Sequence, residues 1–151
     1  MFKKIIIGII LVLGLIQFIP LEKTNSKVDK AIALKTDESI MKILKKSCYD
    51  CHSDETKWSI YSDIAPLSFG VVAHVNDGRE ALNFSKWKSI KLSIKKARLK
   101  RAIKTVNNEM MPMSSYLMFH EEAKMSKEEK KILVKWLEKE LFLIAPDEVY
   151  F

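Results

Sequence analysis

Cys48, Cys51 and His52 bring two thiols and an imidazole together within the run Cys48-Tyr49-Asp50-Cys51-His52. Thiols at that spacing can bond the two vinyl groups of a haem while the adjacent imidazole becomes the proximal ligand of the iron. The pattern also suits part of a zinc site or a thiol–disulfide redox pair. A closed zinc site needs four ligands, and with no further cysteine in the chain it would have to recruit His74, His120 or carboxylates. A redox pair expects a βαβ setting, which this sequence does not supply. Covalent haem, in one copy, is the chemistry the residues favour.

The iron would need a ligand on its far side. Met110-Met111-Pro112-Met113 falls in a non-helical stretch where a Met-Pro pair can present a thioether, and Met111 is the expected distal ligand. His74 and His120 are rivals, and a methionine is also a common filler of cores. Tyr61, Arg79 and Trp87 carry the N–H and O–H groups that haem propionates would take up. No residue is expected to act as a catalytic acid, base or nucleophile.

These side chains need elements to place them. Thr36 or Asp37 can cap a short helix with Ile40, Ile43 and Leu44 on one face, delivering the chain into Cys48. Pro66 suits a first helical position and Gly78 a position just past a helix end, so residues 66–77 read as a helix that carries His74. Ser85 can cap another, which turns Trp87, Ile90, Ile94, Ala97, Ile103 and Val106 toward a core and ends near Asn107 and Asn108. Ser126 and Glu129 have capping-box spacing and open a last amphipathic helix with Ile132, Leu133, Trp136 and Leu137. No stretch alternates as a strand would. At 151 residues, 48% of them apolar, the chain suits one all-α domain around a single core.

Lys3 and Lys4 precede an apolar run over residues 5–16 that continues to Ile19 and stops at Pro20. Its charged start and apolar middle read as an export signal. With no small-residue cleavage site after it, an uncleaved membrane anchor is favoured over a removed signal peptide. Lys3 and Lys4 would stay on the cytoplasmic side, leaving the domain in the periplasm or otherwise outside the cytoplasm. The expected division is therefore a membrane anchor or signal over residues 1–20, a linker over 21–36, a haem-binding domain over 37–142 and a tail over 143–151.

The formal charge of +7 is concentrated in one place. Residues 81–108 contain no acidic side chain, whereas Lys86, Lys88, Lys91, Lys95, Lys96, Arg98, Lys100, Arg101 and Lys104 are basic. Such a face suits an acidic redox partner, anionic lipid headgroups, or simple solvation. No nucleic-acid-binding motif accompanies it.

The order of short helix, Cys-x-x-Cys-His, Met-Pro loop and capped aromatic helix resembles class I c-type cytochromes. A closer resemblance is to the bacterial haem-binding domain family of small Cys-x-x-Cys-His proteins. It is carried by Cys48 to Ser53, Trp58, Tyr61-Ser62, Ile64-Ala65-Pro66, His74-Val75, Gly78-Arg79, Leu82-Asn83-Phe84-Ser85, Trp87, Met111-Pro112, Ser115-Tyr116 and His120. It covers roughly residues 38–142, and the anchor ending Gln17-Phe18-Ile19-Pro20 is similar too. Met113 departs from the more usual leucine-like residue and adds a competing thioether. The resemblance implies haem binding and does not name a redox partner. An electron carrier with both axial positions filled is the expected function. The alternative is a haem-based sensor or peroxidase-like protein with a labile sixth ligand.

Overall fold

Ser126 and Glu129 close the expected capping box: the Ser126 hydroxyl accepts from the Glu129 N–H at 3.1 Å, and the Glu129 carboxylate accepts from the Ser126 N–H at 2.8 Å. In this computed structural model, which describes residues 1–145, that box starts the longest helix. In chain order the helices are α1 (Phe2–Leu15), α2 (Glu38–Ser47), α3 (Tyr49–His52), α4 (Leu67–Ala81), α5 (Leu92–Asn107), α6 (Ser114–Leu117) and α7 (Lys127–Ile144). Short 3-10 turns lie at Ile16–Phe18, Ile60–Asp63, Phe84–Ser89 and Glu121–Ala123, and there is no strand among the described residues.

The core forms where α5 packs on α7 and α2 leans on both α7 and α3. Leu44, Leu99 and Leu133 lie at its centre with virtually no exposure, each contributing about 1.5–3 kcal/mol by burial. Ile40, Ile43 and Leu44 face inward from α2 at the expected helical spacing. Lys46 crosses to Glu129 at 2.6 Å, tying α2 to the first turn of α7.

Several expectations are corrected. Gly78 lies inside α4 rather than beyond its end, because α3 crosses α4 there: a Cβ at residue 78 would overlap the Cys51 carbonyl. Ser85 caps no long helix; Asn83 accepts from the Ser85 N–H, and a 3-10 segment comes next. Extended backbone at Ile90 and Lys91 then breaks the helix and resets its phase. As a result Leu99 is buried in α5, while Ile94 and Ala97 are exposed.

Residues 21–36 are no free linker. Leu34 is buried and its N–H donates to the Phe84 carbonyl, while the Lys88 N–H donates to the Ile32 carbonyl. Asn25 closes a double hydrogen bond with the Thr56 backbone. The tail expected over 143–151 is corrected in part: α7 runs through Ile144, and residues 146–151 lie outside the described residues. At the other end α1 is apolar and exposed along its length, and no helix among the described residues is long and apolar enough to cross a membrane.

Candidate functional site

α2 ends at Ser47 and the turn α3 starts immediately, with the Cys48 carbonyl accepting from the N–H groups of Cys51 (3.2 Å) and His52 (2.9 Å). A three-residue step along helical backbone puts the two thiols on one side of the turn. Both cysteines are free and half-buried. Burial, with Cys51 adding to it, pushes the Cys48 thiol up to about 12. Burial and then Asp50 push Cys51 up to about 11, with Arg79 pulling the other way. Thiols of a redox-active pair are instead held low so that the thiolate can attack. The setting keeps both sulfurs protonated at neutral pH, against the thiol–disulfide reading. No group of three or more potential metal-binding side chains forms among the described residues.

His52 is held from one side. Its Nδ1 lies 3.0 Å from the Leu82 carbonyl oxygen. A carbonyl only accepts, so Nδ1 carries the proton and, in the neutral ring, Nε2 keeps a free lone pair. Burial lowers the His52 pKa, partly offset by the backbone of Leu82 and Gly78, and so favours this neutral form. An imidazole hydrogen-bonded through one nitrogen and open at the other is set up as a metal ligand.

The residues after His52 fix that geometry. The Asp54 N–H donates to the Ser85 hydroxyl at 2.9 Å, and the Asn83 amide donates to the buried Asp54 carboxylate at 2.9 Å. These bonds pin residues 83–85 beside the motif and hold the adjacent Leu82 carbonyl in place. The Ser53 hydroxyl donates to the Tyr49 carbonyl and accepts from the Glu55 N–H. Phe84 packs at the edge of the His52 ring, 6.3 Å between centroids, and stacks on Tyr49 at 5.4 Å.

The segment after the Met-Pro pair lies over the motif. The Tyr116 hydroxyl donates to the Asp50 carboxylate at 2.8 Å, and Asp50 stands between the two cysteines. Burial and this bond raise the Tyr116 pKa beyond the usual phenol range. Met111 is half-buried against the hydrophobic core, whereas Met110 is exposed. Neither rival histidine stands ready. His120 has both ring nitrogens engaged, Nε2 with the Tyr61 hydroxyl at 2.5 Å and Nδ1 with Glu122 at 3.1 Å. His74 is exposed on α4, off the face that Val72, Val75 and Gly78 bury.

Of the three side chains expected at propionates, two are hydrogen-bonded within the protein and the third is packed into the core. Arg79 donates from Nε to the Ser53 carbonyl, from one terminal nitrogen to the Thr24 carbonyl, and from the other to the Asn25 and Thr56 side chains. Its guanidinium ties two stretches of loop together because residues 24–25 and 53–56 converge on it. The Tyr61 hydroxyl is taken by His120. Trp87 is a core residue between Phe84 and Trp136, with Lys95 Nζ 4.7 Å from its ring centre. Lys95 is therefore buried and no part of the exposed basic face. Trp58 has the property those three lack: its Nε1 is buried without a partner, as is Ser47 Oγ beside Cys48.

Sequence reasoning passed over Asp50, Tyr116, Leu82 and the Asp54–Asn83–Ser85 cluster as site elements. The run Leu82-Asn83-Phe84-Ser85 was visible, but a backbone carbonyl's role leaves no residue-type signature.

Two thiols held protonated beside an imidazole whose Nδ1 is hydrogen-bonded to a carbonyl form a donor set that fits haem. No curated protein and no solved structure matches the chain. The family model for the haem-binding domain matches residues 11–139, and with that much of the chain matched the protein belongs to the haem-binding domain family.

Proposed function

We propose that this haem-binding protein is a mono-haem c-type cytochrome that carries electrons outside the cytoplasm. The observation that carries the reading is the hydrogen bond to the Leu82 carbonyl from Nδ1 of His52, the residue that follows Cys51. Bound haem supplies a reversible one-electron couple at its iron. His52 Nε2 would be the proximal donor, with Leu82 fixing the ring's tautomer and raising its basicity. Cys48 and Cys51 would hold the group through thioether bonds.

Met111 is the favoured distal donor, supported by the engagement of both His120 nitrogens and the exposure of His74. Trp58 Nε1 is the better candidate for a propionate, since a buried N–H without a partner is costly unless something accepts from it. With His52 and Met111 both serving as iron donors, no position would remain for a substrate, which favours electron exchange over catalysis.

α1 is read as the membrane anchor, with Lys3 and Lys4 on the cytoplasmic side. Lys86, Lys91 and Arg98 line an open cleft of about 350 Å³, and with the exposed Lys88 they suit an acidic redox protein. Optical and magnetic spectra of the exported Met111→Ala protein test the ligand set. Loss of the low-spin His/Met signature is expected, with His120→Ala retaining it; an unchanged Met111→Ala spectrum would overturn the assignment.

A further inference from the structure

Gln17 joins the end of α1 to the haem domain. Its amide oxygen accepts from the Ala65 N–H at 3.0 Å, and its amide nitrogen donates to the Ala65 carbonyl at 3.0 Å and back to the Leu13 carbonyl at 2.8 Å. Further along, Lys23 pairs with Asp63 and Arg79 holds the Thr24 carbonyl. The passage from helix to domain is clamped at successive points, so the orientation of α1 is also the orientation of the domain.

α1 is short. Its 14 residues rise about 21 Å, and the 3-10 turn Ile16–Phe18 adds roughly 6 Å, against a hydrocarbon core about 30 Å thick. Large apolar side chains crowd the clamp at the base of the helix: Phe18 is 85% exposed, Ile19 52%, Ile64 50% and Leu67 51%. Ile19 and Ala65 line the same small cavity at this junction, which places the neighbouring residues 64–67 beside the foot of α1. Scattered exposed hydrophobics need no explanation, but these continue an apolar helix that is itself fully exposed.

We infer that Phe18, Ile19, Ile64 and Leu67 form a collar that sits in the interfacial layer of a lipid bilayer, supplying the apolar length α1 lacks. The inference rests on the reading of α1 as membrane-inserted. A span shorter than the bilayer is usually accommodated by lipid thinning or by snorkelling flanks. Lys3 and Lys4 can snorkel at the far end, and at the near end the domain itself sinks to meet the lipid. The Lys23–Asp63 ion pair matches charges that would otherwise approach the membrane alone. The consequence is a haem domain held at one fixed face toward the membrane rather than swinging on a tether.

The test uses the full haem-loaded chain in phosphatidylethanolamine–phosphatidylglycerol vesicles, with an environment-sensitive fluorescent amino acid in place of Leu11, Ile64, Leu67 or Leu92. Quenching by lipids brominated near the headgroup is taken relative to unbrominated lipids, which cancels quenching by haem. The collar predicts that probes at 64 and 67 lose most of their emission, as a probe at 11 does to lipids brominated deeper, while the probe at 92 loses none. Adding Gln17→Ala should weaken quenching at 64 and 67 and leave position 11 unchanged. A probe at 11 that is not quenched overturns the anchor reading and the collar with it. Quenching at 11 with water-like emission at 64 and 67 overturns the collar alone. Blue-shifted but unquenched emission at 64 and 67 means that protein, such as a second copy, covers the face, and also overturns it.

Discussion

The backbone of Cys51 passes so close to Gly78 that a Cβ on residue 78 would stand 3.0 Å from the Cys51 carbonyl carbon and 3.1 Å from its Cβ, and would overlap the carbonyl oxygen outright. α4 approaches the Cys-x-x-Cys-His turn only because residue 78 has no side chain. Gly78→Ala should therefore separate the two elements, destabilising the fold by about 1–3 kcal/mol as overpacking does. Denaturant titration of the haem-loaded protein would measure it. Since alanine is the better helix former, an unchanged or higher stability would show that α4 does not press on the motif.

Arg79 gives a second prediction, because its guanidinium connects the Thr24–Asn25 segment to residues 53–56. Arg79→Met should cost roughly 2–3 kcal/mol, the scale of hydrogen bonds to a charged group in a largely buried setting. The redox potential should move little. A large shift in potential with unaltered stability would return Arg79 to the propionates.

The thiols yield a third. In the haem-free chain, Cys48 and Cys51 are pushed up to about 12 and about 11, so the thiolate fraction at pH 8 is on the order of one in a thousand. The folded state thus favours the protonated thiols, a preference fully present below the ordinary value of 9.0 and lost as pH rises toward 11–12. Alkylation at pH 8 should run at least about a hundredfold slower than for a free cysteine. Fast alkylation would restore a reactive redox pair as the reading of the motif.

The basic surface yields a fourth. Lys88 and Lys91 are exposed, whereas Lys95 is buried over Trp87, so charge reversal belongs at the first two. The double variant Lys88→Glu, Lys91→Glu should slow electron exchange with an acidic redox protein about tenfold at low salt, with the difference shrinking as salt rises. Stopped-flow rates that match the parent at every ionic strength would remove this face from partner recognition.

The parts of the fold legible in the sequence are those written in side-chain pattern. The Ile40–Ile43–Leu44 stripe, the Ser126–Glu129 box and the motif at a helix end all stand where residue type and spacing place them. What was not legible depends on close approach between segments. Gly78 carries the signature of a helix end but serves as a crossing point, and a local reading cannot see the Cys51 backbone on the other side. The break at Ile90 and Lys91 shifted the inward face of α5, so periodicity counted through from Ser85 put Ile94 and Ala97 in the core in place of Leu99. Arg79 and Tyr61 have the right groups for a propionate, yet both are already hydrogen-bonded within the protein, and Trp87 is packed into the core, while Trp58 keeps a buried N–H unmatched. Availability depends on neighbours, and composition does not record neighbours.

Denaturing electrophoresis of the exported wild-type protein, stained for haem, tests the central claim most directly. Haem should migrate with the polypeptide, and Cys48→Ser, Cys51→Ser should abolish the stained band while leaving the protein band. A wild-type chain exported and folded yet free of covalently held haem would contradict the account.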